Sequence, residues 1–290
     1  MADSVIQTID LTKEYRGFGG VTKHRALDGL NLEVRRGEIF GLLGPNGSGK
    51  TTTMKLLLGL IFPTRGSATV LGHRPTDVEA KRRIGFLPEE SYLYRFLNAD
   101  ETLDFYGRLF GLPKKVRAER ADRLIKLLGM DKARRRPLKE YSKGMARRIG
   151  FASALINDPE LVFLDEPTSG LDPIVSRQLK DLIFDLKKQG KTVVMTSHLL
   201  ADIEDVCDRI AILHEGKLRK IGTVEDLLRV PDKLMVTIQD VPRDRREALL
   251  AAIAAAGGDV LSVGHPNVTL EELFLRTIRE STDGADPGRR

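Results

Sequence analysis

A glycine-rich segment has the residue types and spacing of a phosphate-binding loop. Its residues are Gly44-Pro45-Asn46-Gly47-Ser48-Gly49-Lys50-Thr51, followed by Thr52. Glycines let backbone N–H groups curl around an anion without Cβ clashes, and a helix that starts there adds unpaired N–H groups and its dipole. Lys50 supplies a charge for the β- and γ-phosphates, and the Thr51 hydroxyl can bind Mg²⁺. The full pattern after an apolar run is more specific than a chance glycine-rich turn.

Two adjacent acids follow a second apolar run. The run Leu161-Val162-Phe163-Leu164 has no polar alternation, as in a strand buried on both faces of a parallel sheet, and it ends in Asp165-Glu166. Open α/β sheets bind ligands at the carboxyl ends of their strands. We therefore expect Asp165 to bind Mg²⁺, directly or through water, and Glu166 to polarise the water that attacks the γ-phosphorus. A pair of solvated acids is the alternative.

Two further segments contain candidates for phosphate binding. A predicted strand at 192–196 ends in Ser197-His198, and a histidine there can reach the γ-phosphate, although a lone histidine is usually structural. Ser142 precedes a predicted helix and is first of all an N-cap. Gly144 in the first turn costs helix stability and needs another reason. Exposed N–H groups at this helix start can hold a phosphate.

Three other features have alternative interpretations. Tyr15 closes the first segment, after the strand predicted at 5–11; alone it is a sheet-edge aromatic, but beside a nucleotide loop it is a candidate platform for adenine. We interpret Arg134-Arg135-Arg136 as a solvated basic turn rather than a specific contact. The single cysteine, Cys207, excludes an internal disulfide and a cysteine zinc cluster, and we expect it to be a small buried apolar residue.

Composition is that of an ordinary globular protein. The 290 residues are 41% hydrophobic and 30% charged, and the formal net charge of +6 selects no partner by itself. The longest uncharged apolar stretches, 56–63 and 248–258, fall below the roughly 18 residues of a membrane span, so we expect no bilayer crossing. The first residues lack a basic and then apolar leader, which gives no argument for secretion.

The elements that must position these residues alternate between strands and helices. We predict an α/β fold with a P-loop NTPase core and mainly parallel sheet, an N-terminal antiparallel β subdomain, a helical insertion at about 90–156 and a small C-terminal α+β appendage. The predicted domains are a nucleotide-binding domain at 1–229, an extension at 230–280 and a disordered tail at 281–290. In the extension we expect strands at 233–239 and 260–263, and helices at 243–256 and 269–280.

In their order, these motifs resemble the ATP-binding cassette (ABC) ATPases, the nucleotide-binding subunits of membrane transporters, over residues 4–228. Residues 44–51 resemble Walker A, 161–166 Walker B, 141–145 the signature motif, 169–172 the D-loop and His198 the switch histidine. The chain departs from the family in two places. Of the usual Leu-Ser-Gly-Gly-Gln signature only Ser142 and Gly144 remain, and Glu89 stands at the place of the Q-loop glutamine, where a carboxylate can still bind Mg²⁺.

The resemblance implies ATP and Mg²⁺ as cofactors and a head-to-tail dimer, either a homodimer or a pair with another ATPase subunit. Ser142 and Gly144 of one subunit would close on ATP held by Gly47, Lys50, Thr51 and Thr52 of the other. Glu166 would assist in-line attack by water, with Mg²⁺, Lys50 and His198 stabilising the developing charge.

The departures, with residues 269–275, look like the exporter-type branch, whose integral membrane permease is a separate polypeptide. The permease would dock near residues 86–110, where Tyr92, Tyr94 and Phe96 are either a docking surface or local core. This places the protein in the cytoplasm, on the inner face of the cell membrane, with no nucleic acid expected. The main alternative is a soluble cassette ATPase that acts on nucleic acid or ribosomes. A P-loop kinase would leave residues 141–145 and His198 unexplained.

Overall fold

The computed structural model describes residues 3–16, 23–230, 236, 238, 240, 242, 245–257 and 259–261, and these contain nine strands, nine α-helices and two short 3₁₀ helices. The strands are β1 (Ser4–Arg16), β2 (Lys23–Arg35), β3 (Ile39–Leu43), β4 (Arg65–Val70), β5 (Ile84–Leu87), β6 (Leu161–Asp165), β7 (Thr192–Ser197), β8 (Arg209–His214) and β9 (Lys217–Thr223). The helices are α1 (Lys50–Leu57), α2 (Val78–Arg82), α3 (Ala99–Leu109), α4 (Lys114–Leu127), α5 (Lys143–Leu155), α6 (Pro173–Lys188), α7 (Leu200–Val206), α8 (Val224–Leu228) and α9 (Arg246–Ala255).

The strands form two sheets. The first has the order β2-β1-β4 and is antiparallel, as predicted for the N-terminal subdomain. The second has the order β5-β6-β7-β3-β8-β9, in which all neighbours are parallel except the β8–β9 hairpin at the edge. The predicted α/β fold with a mainly parallel sheet is therefore confirmed.

Strand β6 is buried on both faces, as its apolar run predicts. All five of its residues are buried. Val162 and Leu164 belong to a hydrophobic core that includes residues of α3, α4, α5 and α6, whereas Leu161 and Phe163 belong to the core shared with the first sheet and α1. The alternation of side chains along a strand therefore ties the second sheet to two layers at once.

Helices α3, α4 and α5 form the predicted helical insertion. The insertion begins with a capping box, in which Asn98 Oδ1 accepts from the Glu101 backbone N–H at 3.0 Å and the Asn98 N–H donates to Glu101 Oε2 at 2.9 Å. Gly111 has a φ of 70° in the turn before α4. This left-handed conformation is available to glycine at low cost and ends the first helix where the sequence predicts a break.

The interpretation of the three arginines as a solvated turn is wrong for Arg134. Its guanidinium lies 2.6 Å from Asp100 Oδ1 on α3 and 2.9 Å from Asp122 Oδ1 on α4. These hydrogen bonds raise the pKa of Arg134. The side chain joins both helices to the turn after α4, because a guanidinium can bond two carboxylates at once. Arg135 does stay in solvent, with 80% of its side chain exposed.

The aromatic residues before α3 do not form a local core. Tyr92 is 84% exposed and Phe96 is 74% exposed, while Tyr94 packs edge to face on Phe105 at 5.3 Å between ring centroids. Of the two interpretations, the exposed surface is the one that the structure contains.

The chain divides into two units, Met1–Leu228 and Arg229–Arg290. In the second unit, α9 falls within the helix predicted at 243–256. Val260 and Leu261, where a strand is predicted, pair with no other strand in the described part of the chain. The strand predicted at 233–239 lies mostly outside the described residues, and the helix at 269–280 and the tail lie wholly outside. Among the described helices, none has the length and apolarity needed to cross a bilayer.

Candidate active site

The predicted phosphate-binding loop lies between β3 and α1, in the order that the motif requires. Gly49 is the N-cap of α1 with a φ of 106°, and a Cβ there would lie 2.7 Å from the carbonyl oxygen of Ala26. A Cβ at Gly44 would lie 2.2 Å from the carbonyl oxygen of Leu213. Side chains at these positions would push the loop off the sheet, so glycine is required for packing as well as for approach to an anion.

The polar side chains of the loop fit a bound anion. The Lys50 ammonium donates to the carbonyl oxygens of Gly44 and Pro45, at 2.6 and 3.3 Å, and is therefore folded over the loop. The Ser48 hydroxyl is buried and has no hydrogen-bond partner in the described structure. Buried polar groups are normally paired, so a lysine and an unpaired hydroxyl at a helix N-terminus suit a phosphate oxygen. Thr51 is exposed and Thr52 is half-buried at the start of α1.

The adjacent parallel strands β6, β7 and β3 end at the edge of the sheet where this loop lies. The register pairs Asp165 of β6 with Thr196 of β7, and Ser197 of β7 with Leu43 of β3. The carboxyl ends of parallel strands meet at one edge of a sheet. The acids after β6, His198 after β7 and the loop after β3 are thus brought to one edge, as the sequence predicts.

Thr196 bridges the two acids. Its hydroxyl donates to Asp165 Oδ1 at 2.6 Å and accepts from the backbone N–H of Glu166 at 3.1 Å. Thr196 is fully buried, so both bonds lie out of water. The sequence analysis did not identify this residue, although its position one residue before Ser197-His198 on a buried strand is a usable signal.

Glu166 and His198 form a pair across the edge of the sheet. His198 Nδ1 lies 2.8 Å from Glu166 Oε2, and the backbone N–H of His198 donates to the same oxygen at 3.3 Å. Glu166 is buried and has a φ of 47°, which is rare for a residue with a side chain. Both contacts reach Oε2, so Glu166 Oε1 is left without a hydrogen bond within the described residues.

The signature residues lie at the start of α5. Ser142 is the N-cap of α5, and its hydroxyl accepts from the Met145 N–H at 3.2 Å. The described residues contain no hydrogen bond from Ser142 or Gly144 to the phosphate-binding loop. Lys143 is exposed, and its ammonium lies close to Gly170, four residues after Glu166. The N-cap prediction is confirmed, whereas phosphate contact stays a prediction.

Arg147 is a residue of the site that the sequence analysis missed. It lies on α5, is 6% exposed, and donates to backbone carbonyl oxygens of Pro88, Glu89, Asp165, Glu166 and Pro167. Burial lowers its pKa to about 10, while the nearby carboxylates of Asp165, Glu89 and Glu166 oppose that shift. No local pattern indicates a buried arginine here, because all five acceptors are distant in sequence.

Two predicted residues are not brought into contact with the others. The Glu89 carbonyl is held by Arg147 at 2.8 Å, but its side chain is exposed. Tyr15 is 40% exposed, with the Lys13 ammonium 5.2 Å from its ring centroid. Their proposed roles as metal ligand and adenine platform remain predictions. Cys207 is buried, as expected, and burial raises the pKa of its thiol.

The residues also fit a magnesium ion that arrives with a nucleotide. Thr51 supplies an exposed hydroxyl, and Asp165 supplies a carboxylate oriented by Thr196. Within the described residues no group of three or more histidine, cysteine, aspartate or glutamate side chains could hold a metal. Magnesium is commonly bound by one or two carboxylates together with substrate phosphates, so a nucleotide would have to supply the remaining ligands.

Several known proteins have sequences similar to this one. The ABC transporter family profile matches residues 27–169. An uncharacterised ABC transporter ATP-binding protein of Synechocystis is 41% identical over 96% of this chain and 85% of its own length. The linearmycin resistance ATP-binding protein LnrL of Bacillus subtilis is 36% identical over 88% of this chain and 80% of its own length. The bacitracin transport ATP-binding protein BcrA of Bacillus licheniformis is 39% identical over 74% of this chain and 68% of its own length.

Solved structures agree with the fold. The ATP-binding cassette MJ0796, in a dimeric post-hydrolysis state bound to ADP and Pi, superposes with a TM-score of 0.69 and 26% identity. The match covers 76% of this chain and 98% of that one. The order of motifs, the two sheets and these relatives lead to one conclusion: the chain belongs to the ATP-binding proteins of the ABC transporter family.

Proposed function

We propose that the protein hydrolyses ATP as a dimer and drives a separate membrane permease, with export as the direction of transport. The observation that carries the hydrolytic part is the Glu166–His198 pair, 2.8 Å apart beside the phosphate-binding loop. Relatives named for linearmycin resistance and bacitracin transport support the exporter assignment. The protein would work in the cytoplasm, on the inner face of the membrane.

Glu166 has the geometry of a general base for water. His198 fixes Oε2 through its ring and its backbone N–H, which leaves Oε1 to accept the proton of the attacking water. The oxygen of that water then bonds to the γ-phosphorus while the bond to the β,γ-bridging oxygen breaks, giving ADP and phosphate. Lys50 offers its charge to the phosphate oxygens once it releases the carbonyl oxygens of Gly44 and Pro45.

Thr51, Asp165 and Glu89 are the residues that would hold magnesium. Bound there, the ion would neutralise phosphate charge and orient the γ-phosphate for in-line attack. Gly47 and Thr52 would complete the phosphate cradle, and Tyr15 would stack on adenine.

A second copy of the cassette would complete the site. Ser142 and Gly144 lie at the N-terminus of α5, and Ser142 is exposed, with no hydrogen bond to the phosphate-binding loop of its own chain. Their N–H groups are therefore available to the γ-phosphate bound by another subunit. The dimeric state of MJ0796 with ADP and Pi supports this arrangement.

The permease would dock on the aromatic surface formed by Tyr92, Tyr94 and Phe96. An adjoining groove of about 270 Å³ is lined mostly by apolar residues, among them Phe86, Tyr106 and Phe110. Exposed aromatic residues beside an apolar groove mark a protein interaction site. The surface lies between β5 and α3, next to the turn at 88–89 that also contacts Arg147.

Affinity capture tests the permease and its alternative together. The full chain would be used to capture proteins from detergent-solubilised membranes, beside a Tyr92→Ser/Phe96→Ser variant. Phe62→Ser is the matched control, because Phe62 is 70% exposed and lies outside this surface. We expect an integral membrane protein with the wild type and the control only. Recovery of RNA or ribosomal proteins instead would favour the soluble cassette ATPase, for which the net charge of +6 is the supporting observation.

A further inference from the structure

We propose that Arg147 is a positioning residue. It holds the backbone of Asp165 and Glu166 in place, and the position of α5 on the sheet determines where it holds them. The inference rests on the proposed hydrolytic function and assigns to this buried arginine the control of Glu166. Arg147 itself is not placed to touch substrate.

All five N–H donors of the Arg147 guanidinium are used. Nε donates to Pro167 O at 3.0 Å; Nη1 donates to Pro88 O at 2.5 Å and Glu89 O at 2.8 Å; Nη2 donates to Asp165 O at 2.7 Å and Glu166 O at 2.8 Å. Every acceptor is a backbone carbonyl. The side chain therefore acts as a rigid fork that fixes two turns of main chain, and no other residue type offers five donors in one plane.

Of the two turns that Arg147 holds, the one at 165–167 has a strained backbone. Glu166 has a φ of 47°, and such a conformation persists only where the surroundings determine it. The Thr196 hydroxyl accepts from the N–H of Glu166, and the Arg147 guanidinium donates to the carbonyl oxygens of residues 165, 166 and 167. The backbone N–H and C=O of Glu166 are therefore both fixed, and together they orient its carboxylate.

Close packing of α5 makes this reach possible. Gly85 on β5 lies so near the helix that a Cβ there would be 2.1 Å from the carbonyl oxygen of Ala154. A Cβ at Gly150 would be 2.6 Å from the Ser91 hydroxyl. With no side chains between them, α5 and β5 approach closely, and the guanidinium lies between the turn after β5 and the turn after β6.

The Arg147 contact couples the position of α5 to the backbone of Glu166. Ser142 lies at the start of the same helix, five residues before Arg147, and the permease surface adjoins the turn at 88–89. A shift of α5, caused by the second subunit or by the permease, would move Arg147. The backbone at 165–167, whose carbonyl oxygens Arg147 binds, would then move with it. Hydrolysis in one site would then depend on the position of α5 in the same chain, although Ser142 and Gly144 of that helix are proposed to contact the nucleotide of the other subunit.

Kinetics on the purified full chain test the inference. The variants are Arg147→Met and Arg147→Lys, with Arg148→Met as the control, because Arg148 lies on the same helix but bonds Gln178 instead. We expect kcat to fall about tenfold or more in Arg147→Met, with nucleotide Kd within about threefold of the wild type. Arg147→Lys keeps the charge but has three donors, so it should recover part of kcat. Equal kcat in Arg147→Met and Arg148→Met would overturn the inference.

A double-mutant cycle separates positioning from a general loss of structure. If Arg147 acts through Glu166, the Arg147→Lys substitution should change single-turnover hydrolysis less than about twofold in a Glu166→Gln background. An undiminished loss there contradicts the inference. A wild type that releases no phosphate would refute the proposed function instead.

Hydrogen exchange gives a readout that does not need hydrolysis. In Arg147→Lys, peptides that cover 85–92 and 163–170 should both exchange faster than in Arg148→Met, because both turns lose carbonyl partners. Unchanged exchange in either peptide would overturn the proposal even if the protein were catalytically silent.

Discussion

The hydroxyl of Thr196 donates to Oδ1 of Asp165 over 2.6 Å, from one central strand to its neighbour. Since the same hydroxyl accepts from the backbone of Glu166, one buried oxygen orients both acids. The group that orients the two acids therefore lies on a strand of the sheet rather than in a loop.

Thr196→Val should lower kcat by about tenfold, because valine keeps the shape and removes both hydrogen bonds. Thr192→Val is the matched control on the same strand. The buried Thr192 hydroxyl accepts from the Gly37 N–H at 2.9 Å, at the other end of β7. Each variant should lose about 1–3 kcal/mol of unfolding free energy, measured by denaturant titration. Equal effects on kcat would show that Thr196 matters only for stability.

Glu166→Gln should retain ATP and accumulate as an ATP-bound dimer. Glutamine keeps the shape of the side chain but cannot take the proton from water, so the bound nucleotide should be hydrolysed only at a slow residual rate. Size-exclusion chromatography with light scattering, with and without ATP and Mg²⁺, measures the dimer. A variant that stays monomeric and hydrolyses ATP at the wild-type rate would contradict the assignment of Glu166.

Lys50→Ala should abolish nucleotide binding. The ammonium is the charged group of the phosphate-binding loop, and its loss removes the attraction for the phosphates. Lys55→Ala is the control, since Lys55 is exposed on the same helix. Nucleotide at 100 times Kd stabilises a binding protein by about 2.7 kcal/mol, so a thermal shift in the control and none in Lys50→Ala is the expected result. Undiminished affinity of Lys50→Ala in a titration would refute the role.

Arg134→Met should destabilise the helical insertion by about 1–3 kcal/mol, because Asp100 and Asp122 lose their shared partner. Arg135→Met should change the unfolding free energy by no more than about 0.5 kcal/mol, as expected for an exposed side chain. Chemical denaturation of both variants measures the difference. Similar losses in the two would support the solvated turn that the sequence suggested.

The parts of the site that could be predicted are those whose residues are close in sequence. The loop at 44–51 is a continuous motif between a strand and a helix, and the acids end a run that reads as doubly buried. His198 could be added because parallel strands end at one edge of a sheet. These predictions needed only a continuous motif, the apolar runs of buried strands and the parallel order of those strands.

The residues that escaped prediction depend on distant partners. Arg147 finds its acceptors 18 to 59 residues away, and Arg134 bonds a carboxylate 34 residues away. An arginine in a helix looks like a surface residue until the tertiary structure surrounds it. For the same reason, the sequence could not decide whether Tyr92 and Phe96 lie in a core or on a surface.

The place of β7 between β6 and β3 has a consequence for how the chain tolerates insertions and deletions. One residue added or removed within Thr192–Ser197 would turn Thr196 to the opposite face and draw His198 out of line with both neighbours. An extra residue in the exposed turn at 189–190, before β7 begins, lies outside the strand and would leave its register intact. The length of β7 is therefore as much a part of the site as the identity of Thr196.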